Sequence, residues 1–150
     1  MLTSESMNAE QLRKRSRRFA IAIVHLCRRL PADRIVRTIG GQLLRSGTGV
    51  AANYRASCRA RSDKEFCAKI GIVAEESDES QLWLELLSVA STGIDGKEHD
   101  ELLKEAGELT AIFSASYATA RQSLNKKKRR KREDEASITK LPSQQMTRSP

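Results

Sequence analysis

Residues 47–52 read GTGVAA and match the letters of the G-x-G-x-x-A dinucleotide-binding fingerprint. In that motif, glycines at a strand-to-helix turn let the backbone approach a pyrophosphate, which the helix N-terminus stabilises. The preceding residues 39–44 do not read as a buried strand, and no later strand pattern ends in an acidic residue for the ribose. A P-loop is excluded too, because the chain contains no Gly-Lys-Ser/Thr sequence. The motif therefore does not predict a nucleotide site.

A helix face built from small side chains is the alternative interpretation of the same stretch. Such a face lets a neighbouring helix approach closely, which offsets the helix-propensity cost of about 1 kcal/mol for each glycine. Four glycines between positions 40 and 49 leave open whether the helix is continuous or kinked at Gly40-Gly41. The small residues of this predicted face are Ser46, Gly47, Gly49, Ala52, Ala56 and Ala60.

Arg18 and His25 are the pair whose spacing could support catalysis. Six residues separate them along the chain. The histidine could act as a general base while the arginine stabilises an anion. This spacing loosely resembles the Arg-x(4–6)-His motif of the all-helical HEPN ribonucleases. In a chain with 27 lysines and arginines, coincidence is the stronger explanation, and we predict a protein that is not an enzyme.

The histidines and cysteines do not have the spacing of a metal site. Neither His25 nor His99 follows a glutamate by three positions, as di-iron helical bundles require. Cys27, Cys58 and Cys67 are odd in number and widely spaced, which indicates free thiols in a reducing compartment rather than zinc ligands or disulfides. We expect all three thiols to be buried, and we predict no metal and no cofactor.

Targeting and membrane segments are not evident in the sequence. The N-terminus has no apolar signal segment, and no apolar run approaches the roughly 18 residues that a membrane span needs. We therefore expect a cytoplasmic protein without a membrane partner.

Basic side chains are the strongest functional feature of this chain, whose formal net charge is +8. An arginine fork pairs with phosphate oxygens, and lysine adds a mobile positive charge. Aromatic residues make up only 4% of the chain, so we expect contacts with a nucleic-acid backbone rather than base stacking. The predicted binding residues for RNA or DNA are Arg13, Lys14, Arg15, Arg17, Arg18, Arg45, Arg55, Arg59, Arg61, Lys64, Lys69, Lys126, Lys127, Lys128, Arg129, Arg130, Lys131 and Arg132.

Charge is unevenly distributed along the chain. Residues 1–69 contain 15 basic and 5 acidic residues, whereas residues 70–125 contain 3 basic and 11 acidic residues. The seven cations Lys126–Arg132 begin a tail with nine basic and three acidic residues. This polarity predicts an acidic partner, a head-to-tail association of basic and acidic faces that closes into a ring, or both.

Helices must position these residues, because apolar side chains recur with helical spacing and no stretch alternates as a strand does. Pro31 ends the first helix, and Asp33 caps the second. A capping box at residues 62–65 starts the third helix near Asp63. The turn at residues 93–96 precedes the fourth.

Short connections between consecutive helices favour antiparallel neighbours. The predicted fold is therefore all-α, an up-down-up-down antiparallel four-helix bundle with a disordered basic C-terminal tail. We predict a flexible N-terminus at residues 1–9, the bundle at residues 10–125, and the disordered tail at residues 126–150, where the apolar period is lost.

Several motifs between Gln42 and Leu87 resemble the four-helix-bundle proteins encoded in intervening sequences of bacterial 23S ribosomal RNA genes. The family pattern has a Leu-Arg-Ser run, an asparagine, an Arg-Ser pair before an acidic-phenylalanine step, and a glutamate-rich helix that ends in a Trp/Leu cluster. The matching residues are Leu44-Arg45-Ser46, Asn53, Arg61-Ser62, Glu65-Phe66, Glu75-Glu76 and Trp83-Leu84-Glu85-Leu86-Leu87.

This resemblance implies a cyclic homopentamer with a central channel and no assigned catalytic residues. It also implies kinship with the accessory variability determinant proteins of diversity-generating retroelements, which bind nucleic acid and assist a reverse transcriptase. Two departures concern charge: Asn53-Tyr54-Arg55-Ala56 replaces the usual Asn-Ile-Ala-Glu step, and the run Lys126–Arg132 is unusual for the family.

Three functions follow from these observations, and nucleic-acid binding by a non-enzymatic, ring-shaped oligomer is the favoured one. In that role the ring would be an accessory factor to a reverse transcriptase. A structural adaptor that docks a protein partner is the first alternative. A metal-independent ribonuclease that uses Arg18 and His25 is the second.

Overall fold

A computed structural model describes residues 7–90 and 93–139 of this chain, and these residues form four α-helices. The helices are α1 (Ala9–Arg28), α2 (Arg34–Ser57), α3 (Asp63–Ala90) and α4 (Gly96–Thr139). The described ranges contain no strand. The predicted all-α four-helix bundle is therefore confirmed.

Polar side chains start the first three helices. The Asn8 side chain accepts a hydrogen bond from the Gln11 N–H at 2.9 Å, and the Gln11 side chain accepts one from the Asn8 N–H at 2.9 Å. Asp33 caps α2 as predicted, because its carboxylate accepts from the N–H groups of Ile35 and Val36. These bonds satisfy backbone donors that have no partner within the helix.

The capping box before α3 is only partly formed. The Glu65 N–H donates to the Ser62 hydroxyl at 3.1 Å, as predicted. The Glu65 carboxylate accepts from the Arg61 N–H at 2.9 Å instead of from that of Ser62. The helix still begins at Asp63, because one bond suffices to hold its first turn.

Consecutive helices pack side by side, and α1 also contacts α4, whereas α1 and α3 lie diagonally apart without contact in the described ranges. An ion pair ties α1 to α4, because Arg15 binds both carboxylate oxygens of Glu105 at 2.7 Å. The core side chains between the helices include Phe19, Ile23, Leu43, Val50, Ile70, Leu84, Leu87, Leu109 and Phe113.

Helix α2 is continuous through its glycines, so no kink occurs at Gly40 or Gly41. A Cβ on Gly47 would lie 2.9 Å from Cγ1 of Ile23 on α1, and one on Gly49 would lie 2.9 Å from Cδ of Glu76 on α3. Gly47 therefore leaves room for Ile23 of α1 on one side of α2, and Gly49 leaves room for Glu76 of α3 on the other side.

Small polar side chains complete the contact between α2 and α3. The Ser80 and Ser46 hydroxyls are joined at 2.9 Å in the buried interface. Ala52, by contrast, is exposed and lines open grooves on both sides of α2. The prediction that Ala52 shares a close-packed face with the glycines is wrong, because its side chain lies on the outer face of α2.

Helix α4 extends further than the sequence analysis predicted. Residues 126–139 continue the helix instead of forming a disordered tail, and residues 140–150 lie outside the described residues. No glycine or proline occurs between Gly107 and Pro142, and Arg129 and Lys131 pair with acids four residues later. Adding turns to an existing helix requires no new nucleus, so these features suffice to propagate it.

The cysteines differ in their surroundings. Cys67 is buried, and Cys27 is half-buried, so that burial raises the pKa of the Cys27 thiol. Cys58 is exposed, which contradicts the expectation of three buried thiols. The reason is local, because Cys58 is the C-cap of α2, where the chain leaves the bundle.

None of the four helices in the described ranges is both long and apolar enough to span a bilayer.

Candidate nucleic-acid interface

The antiparallel helices collect basic segments at one end of the bundle. The Tyr54 hydroxyl of α2 donates to the carbonyl oxygen of Ala9 at the start of α1, at 3.4 Å. Asp63 at the start of α3 pairs with Lys127 of α4. We call the cations that α1, α2, α3 and the turn before α3 contribute here the basic end: Arg13, Lys14, Arg17, Arg18, Arg55, Arg59, Arg61, Lys64 and Lys69.

An open groove of about 570 Å³ runs between α1 and α2 at the basic end. Arg13, Lys14 and Arg17 line one side together with the acid Glu10, and Arg55 lines the other. Glu10 pairs with Arg13 at 2.7 Å and with Lys14 at 3.7 Å. The floor is built from small side chains, namely Thr48, Ala51 and Ala52. Small floor residues leave room for a phosphate chain to approach cations from both helices.

The groove has a neighbour of about 340 Å³ between α2 and α3, and the two share Ala52 and Arg55. Arg59 and Lys69 add two further cations here, beside the acid Glu65. Three helices therefore contribute cations to one surface, with Arg55 at its centre.

Half of the predicted binding residues make ion pairs with acids of the chain, and Arg15 and Arg45 each pair with two acids of a neighbouring helix. Only 17% of the Arg15 side chain is exposed, and its hydrogen bond to Glu105 raises the pKa of its guanidinium. Arg45 bridges α2 to α3 through Glu76 at 3.4 Å and through Glu79, and the bond to Glu79 raises its pKa. These two arginines connect helices, so their charge is already neutralised by partners within the bundle.

The basic run of residues 126–132 lies on α4 beyond the packed bundle. Every side chain from Asn125 to Thr139 is exposed, and we call this segment the arm. Arg129 and Lys131 pair with acids of the arm itself at 3.9 and 3.8 Å. The arm therefore carries its charge into solvent next to the basic end.

Several predicted binding residues make no ion pair within residues 7–90 and 93–139. They are spread over α1, α2, α3 and the arm, and each is exposed. They are Arg17, Arg18, Arg55, Arg59, Lys64, Lys126, Lys128, Arg130 and Arg132.

The candidate catalytic pair lies on the outer face of α1, where Arg18 and His25 are both exposed. His99 has a structural position instead, because its Nε2 lies 2.8 Å from the Leu84 carbonyl oxygen and joins α4 to α3. In the part of the chain that the structure describes, no group of three or more His, Cys, Asp or Glu residues could hold a metal ion.

Sequence reasoning missed the floor of the α1–α2 groove. Thr48, Ala51 and Ala52 precede Arg55 by one to two helical turns, so the signal was a run of small residues next to an arginine on the same face. The small residues of this stretch, Ala52 among them, were predicted to form a helix-packing face, and Thr48 and Ala51 were not assigned. The structure divides them, with Gly47 and Gly49 in the packing and these three in the groove.

Comparison with known proteins finds a family that covers most of the bundle. The family model for the 23S rRNA-intervening sequence protein matches residues 9–115. A crystal structure of a protein of unknown function from the S23 ribosomal protein family of Bacteroides thetaiotaomicron VPI-5482 is 27% identical, with a TM-score of 0.65. That likeness covers 73% of this chain and 97% of the other. The comparison with curated proteins finds no match.

Proposed function

This chain belongs to the 23S rRNA-intervening sequence protein family, and we propose that it is a non-enzymatic protein that binds the backbone of RNA or DNA. One observation carries the proposal, namely that cations from three helices line one open surface at the basic end. Arg17, Arg55 and Arg59 on this surface have no acidic partner among the described residues, so their charge is available to a ligand.

Phosphate contacts explain how such a surface works. Arginine side chains on both walls of the groove pair with successive phosphate oxygens, and the small floor residues let the strand lie close. Binding of this kind tolerates many sequences and weakens steeply as salt rises, because counterions are released. The bonds that Arg15 and Arg45 make inside the bundle exclude them from this set.

A ring-shaped homo-oligomer is the second part of the proposal. Exposed apolar side chains on α3, such as Leu86, and on the outer face of α1 and α2, such as Ile21 and Leu44, lie on different sides of the bundle and suit a head-to-tail contact. Five subunits, and a role as accessory factor to a reverse transcriptase, are what the resemblance to the accessory variability determinant proteins implies.

Two other functions compete with this one. An adaptor that docks a protein partner is supported by the exposed apolar residues of α3. A metal-independent ribonuclease would use Arg18 and His25, which share an exposed face of α1. RNA that stays intact in the presence of the protein argues against the ribonuclease, and cleavage that His25→Ala abolishes would establish it.

Charge reversal at the groove tests the proposal. We expect Arg55→Glu to weaken binding of a labelled RNA and to lower the salt slope by about 1 or more, because one phosphate contact becomes a repulsion. Arg37→Glu is the matched control, because it lies on the same helix, exposed, at the opposite end. Gel retardation at several salt concentrations measures both.

Equal effects of Arg55→Glu and Arg37→Glu would contradict a site at the basic end. No retardation of RNA or DNA by the wild-type chain at low salt would contradict the nucleic-acid proposal as a whole and favour the adaptor.

A further inference from the structure

The arm projects beyond the other helices as a free helix. Helix α4 has 44 residues and α3 has 28, so α4 is longer by about 24 Å at 1.5 Å per residue. The pair between Lys127 and Asp63 marks the level at which α3 begins. The twelve residues from Lys128 to Thr139 therefore extend about 18 Å past the start of α3. The family match ends at residue 115, well before the arm.

Positive charge surrounds the first two turns of the arm on every side. Successive residues of an α-helix are rotated by about 100°, so the seven consecutive cations Lys126–Arg132 cover all directions within two turns. A helix that lies on a single strand needs cations on one face only. A helix with cations on opposite faces is suited to a site with phosphates on both sides.

The dimensions of the arm fit one such site. An α-helix with its side chains is about 10–12 Å in diameter. The major groove of B-form DNA is about 12 Å wide and about 8.5 Å deep, admits a helix, and has a phosphate chain along each edge. The major groove of an A-form RNA duplex is too narrow for side chains to enter.

We propose that the arm docks as a helix in the major groove of duplex DNA. This inference rests on the proposed nucleic-acid function and narrows its ligand to a B-form duplex for this part of the chain. The pair Lys127–Asp63 fixes the direction in which the arm leaves the bundle, next to the cations of the basic end. The duplex then lies across the end of the bundle, where Lys64 and Arg59 reach the same phosphate chains.

Ion pairs within the arm do not prevent docking. Arg129 pairs with Glu133 at 3.9 Å and Lys131 with Glu135 at 3.8 Å, and all four side chains are mostly exposed. Exposed pairs of this kind contribute little free energy, so phosphates displace the carboxylates readily. The three acids at residues 133–135 instead limit the docked length to the two turns that hold the cations.

Two substitutions at Lys128 test the inference in the full-length chain. Lys128→Pro breaks the helix within the arm, whereas Lys128→Ala removes the same charge and keeps the helix. The 11 residues of α4 that follow position 128 are too few to form a stable helix alone in water. Because Lys128 is exposed outside the packed bundle, both variants retain the folded bundle. Circular dichroism should show that only the proline variant loses helix.

Affinities are measured for a 20-base-pair DNA duplex, an RNA duplex of the same sequence, and a single strand. We expect the wild-type chain to prefer the DNA duplex at low salt. Two phosphate contacts made only with DNA would make the DNA affinity fall about tenfold more than the RNA affinity over a fourfold rise in salt. Lys128→Ala should keep that preference, and Lys128→Pro should lose it.

Equal affinity of the wild-type chain for DNA and RNA duplexes, or equal behaviour of the two variants, would overturn the inference and leave the arm as a nonspecific cationic segment. The proposed function fails separately, because it predicts retardation of nucleic acid irrespective of duplex type. Binding without DNA preference contradicts only the arm proposal, and absence of all binding contradicts both.

Discussion

Glu76 is a carboxylate packed between two helices, with 16% of its side chain exposed. Burial raises its pKa, Arg45 opposes that effect, and the neighbouring acids Glu79 and Glu75 add to it. A carboxylate whose folded pKa lies above its unfolded value keeps its proton longer in the folded state. Its contribution to stability is therefore full below the unfolded pKa and is lost as pH rises through the folded pKa.

Replacing Glu76 by glutamine should remove this pH dependence. We expect the melting temperature of Glu76→Gln minus that of the wild type to be higher at pH 7 than at pH 4. The reason is that only the wild type carries a largely buried charge at position 76 at pH 7. Thermal denaturation at both values measures the difference. Glu85→Gln, exposed on the same helix, is the control and should show no such change. A difference of opposite sign would mean that the ion pair with Arg45 outweighs the cost of burial.

At the scale of the element, the close packing of α2 against its neighbours depends on where its glycines lie. A Cβ at Gly47 would meet Ile23 at 2.9 Å, whereas a Cβ at Gly41 meets nothing within 4 Å. We expect Gly41→Ala to stabilise the protein by up to about 1 kcal/mol through helix propensity. Gly47→Ala should destabilise it by about 1–3 kcal/mol, because Ile23 is fully buried and cannot move aside. Urea denaturation measures both, and a stabilising Gly47→Ala would show that α1 and α2 are not closely packed there.

Local signals predicted the elements well where the signal lay next to the boundary. Asp33 and Ser62 marked the starts of α2 and α3, because a cap bonds to backbone groups two or three residues away. The end of α4 was missed, since loss of the apolar period was interpreted as loss of helix. Ion pairs such as Arg129–Glu133 extend a helix without any apolar face.

The candidate site was predicted less completely than the elements, for a physical reason. Arg15 and Arg45 look the same in the sequence as Arg17 and Arg55, and only tertiary packing brings Glu105 and Glu76 to the first pair. Those partners are 90 and 31 residues away along the chain. A charge count identifies a basic half, but the fold decides which cations remain available.

At the scale of the whole molecule, exposed apolar side chains lie on two separate sides. Four follow one face of α3, namely Ile72, Leu82, Leu86 and Val89, and the last is 84% exposed. Others lie at one level on the outer face of α1 and α2, namely Ile21, Val24 and Leu44. Because α1 and α3 are diagonal in the bundle, the two patches face in different directions. Each patch can therefore contact a different neighbouring subunit.

This arrangement favours a contact between unlike faces, which builds a ring when the rotation closes. Such a contact would cover the α1–α2 patch near Leu44 and leave the groove around Arg55 open to nucleic acid. Assembly would then place several basic ends around one axis, and linked sites bind a long nucleic acid more tightly than a single site does.

Substitution of Leu86 by glutamate tests this assembly. Burying a leucine side chain contributes about 1.5–3 kcal/mol, and a buried unpaired carboxylate adds a penalty, so Leu86→Glu should dissociate the oligomer to the 16.7 kDa chain. Ile138→Glu is the control for the mass, because Ile138 is an exposed apolar residue of the arm and lies on none of the helices that carry the two patches. Light scattering after size exclusion gives the masses, and RNA affinity of the same samples should fall with the loss of multiple sites. A wild-type chain that is monomeric would remove the ring, and a Leu86→Glu variant that keeps the wild-type mass would exclude this face of α3 as the interface.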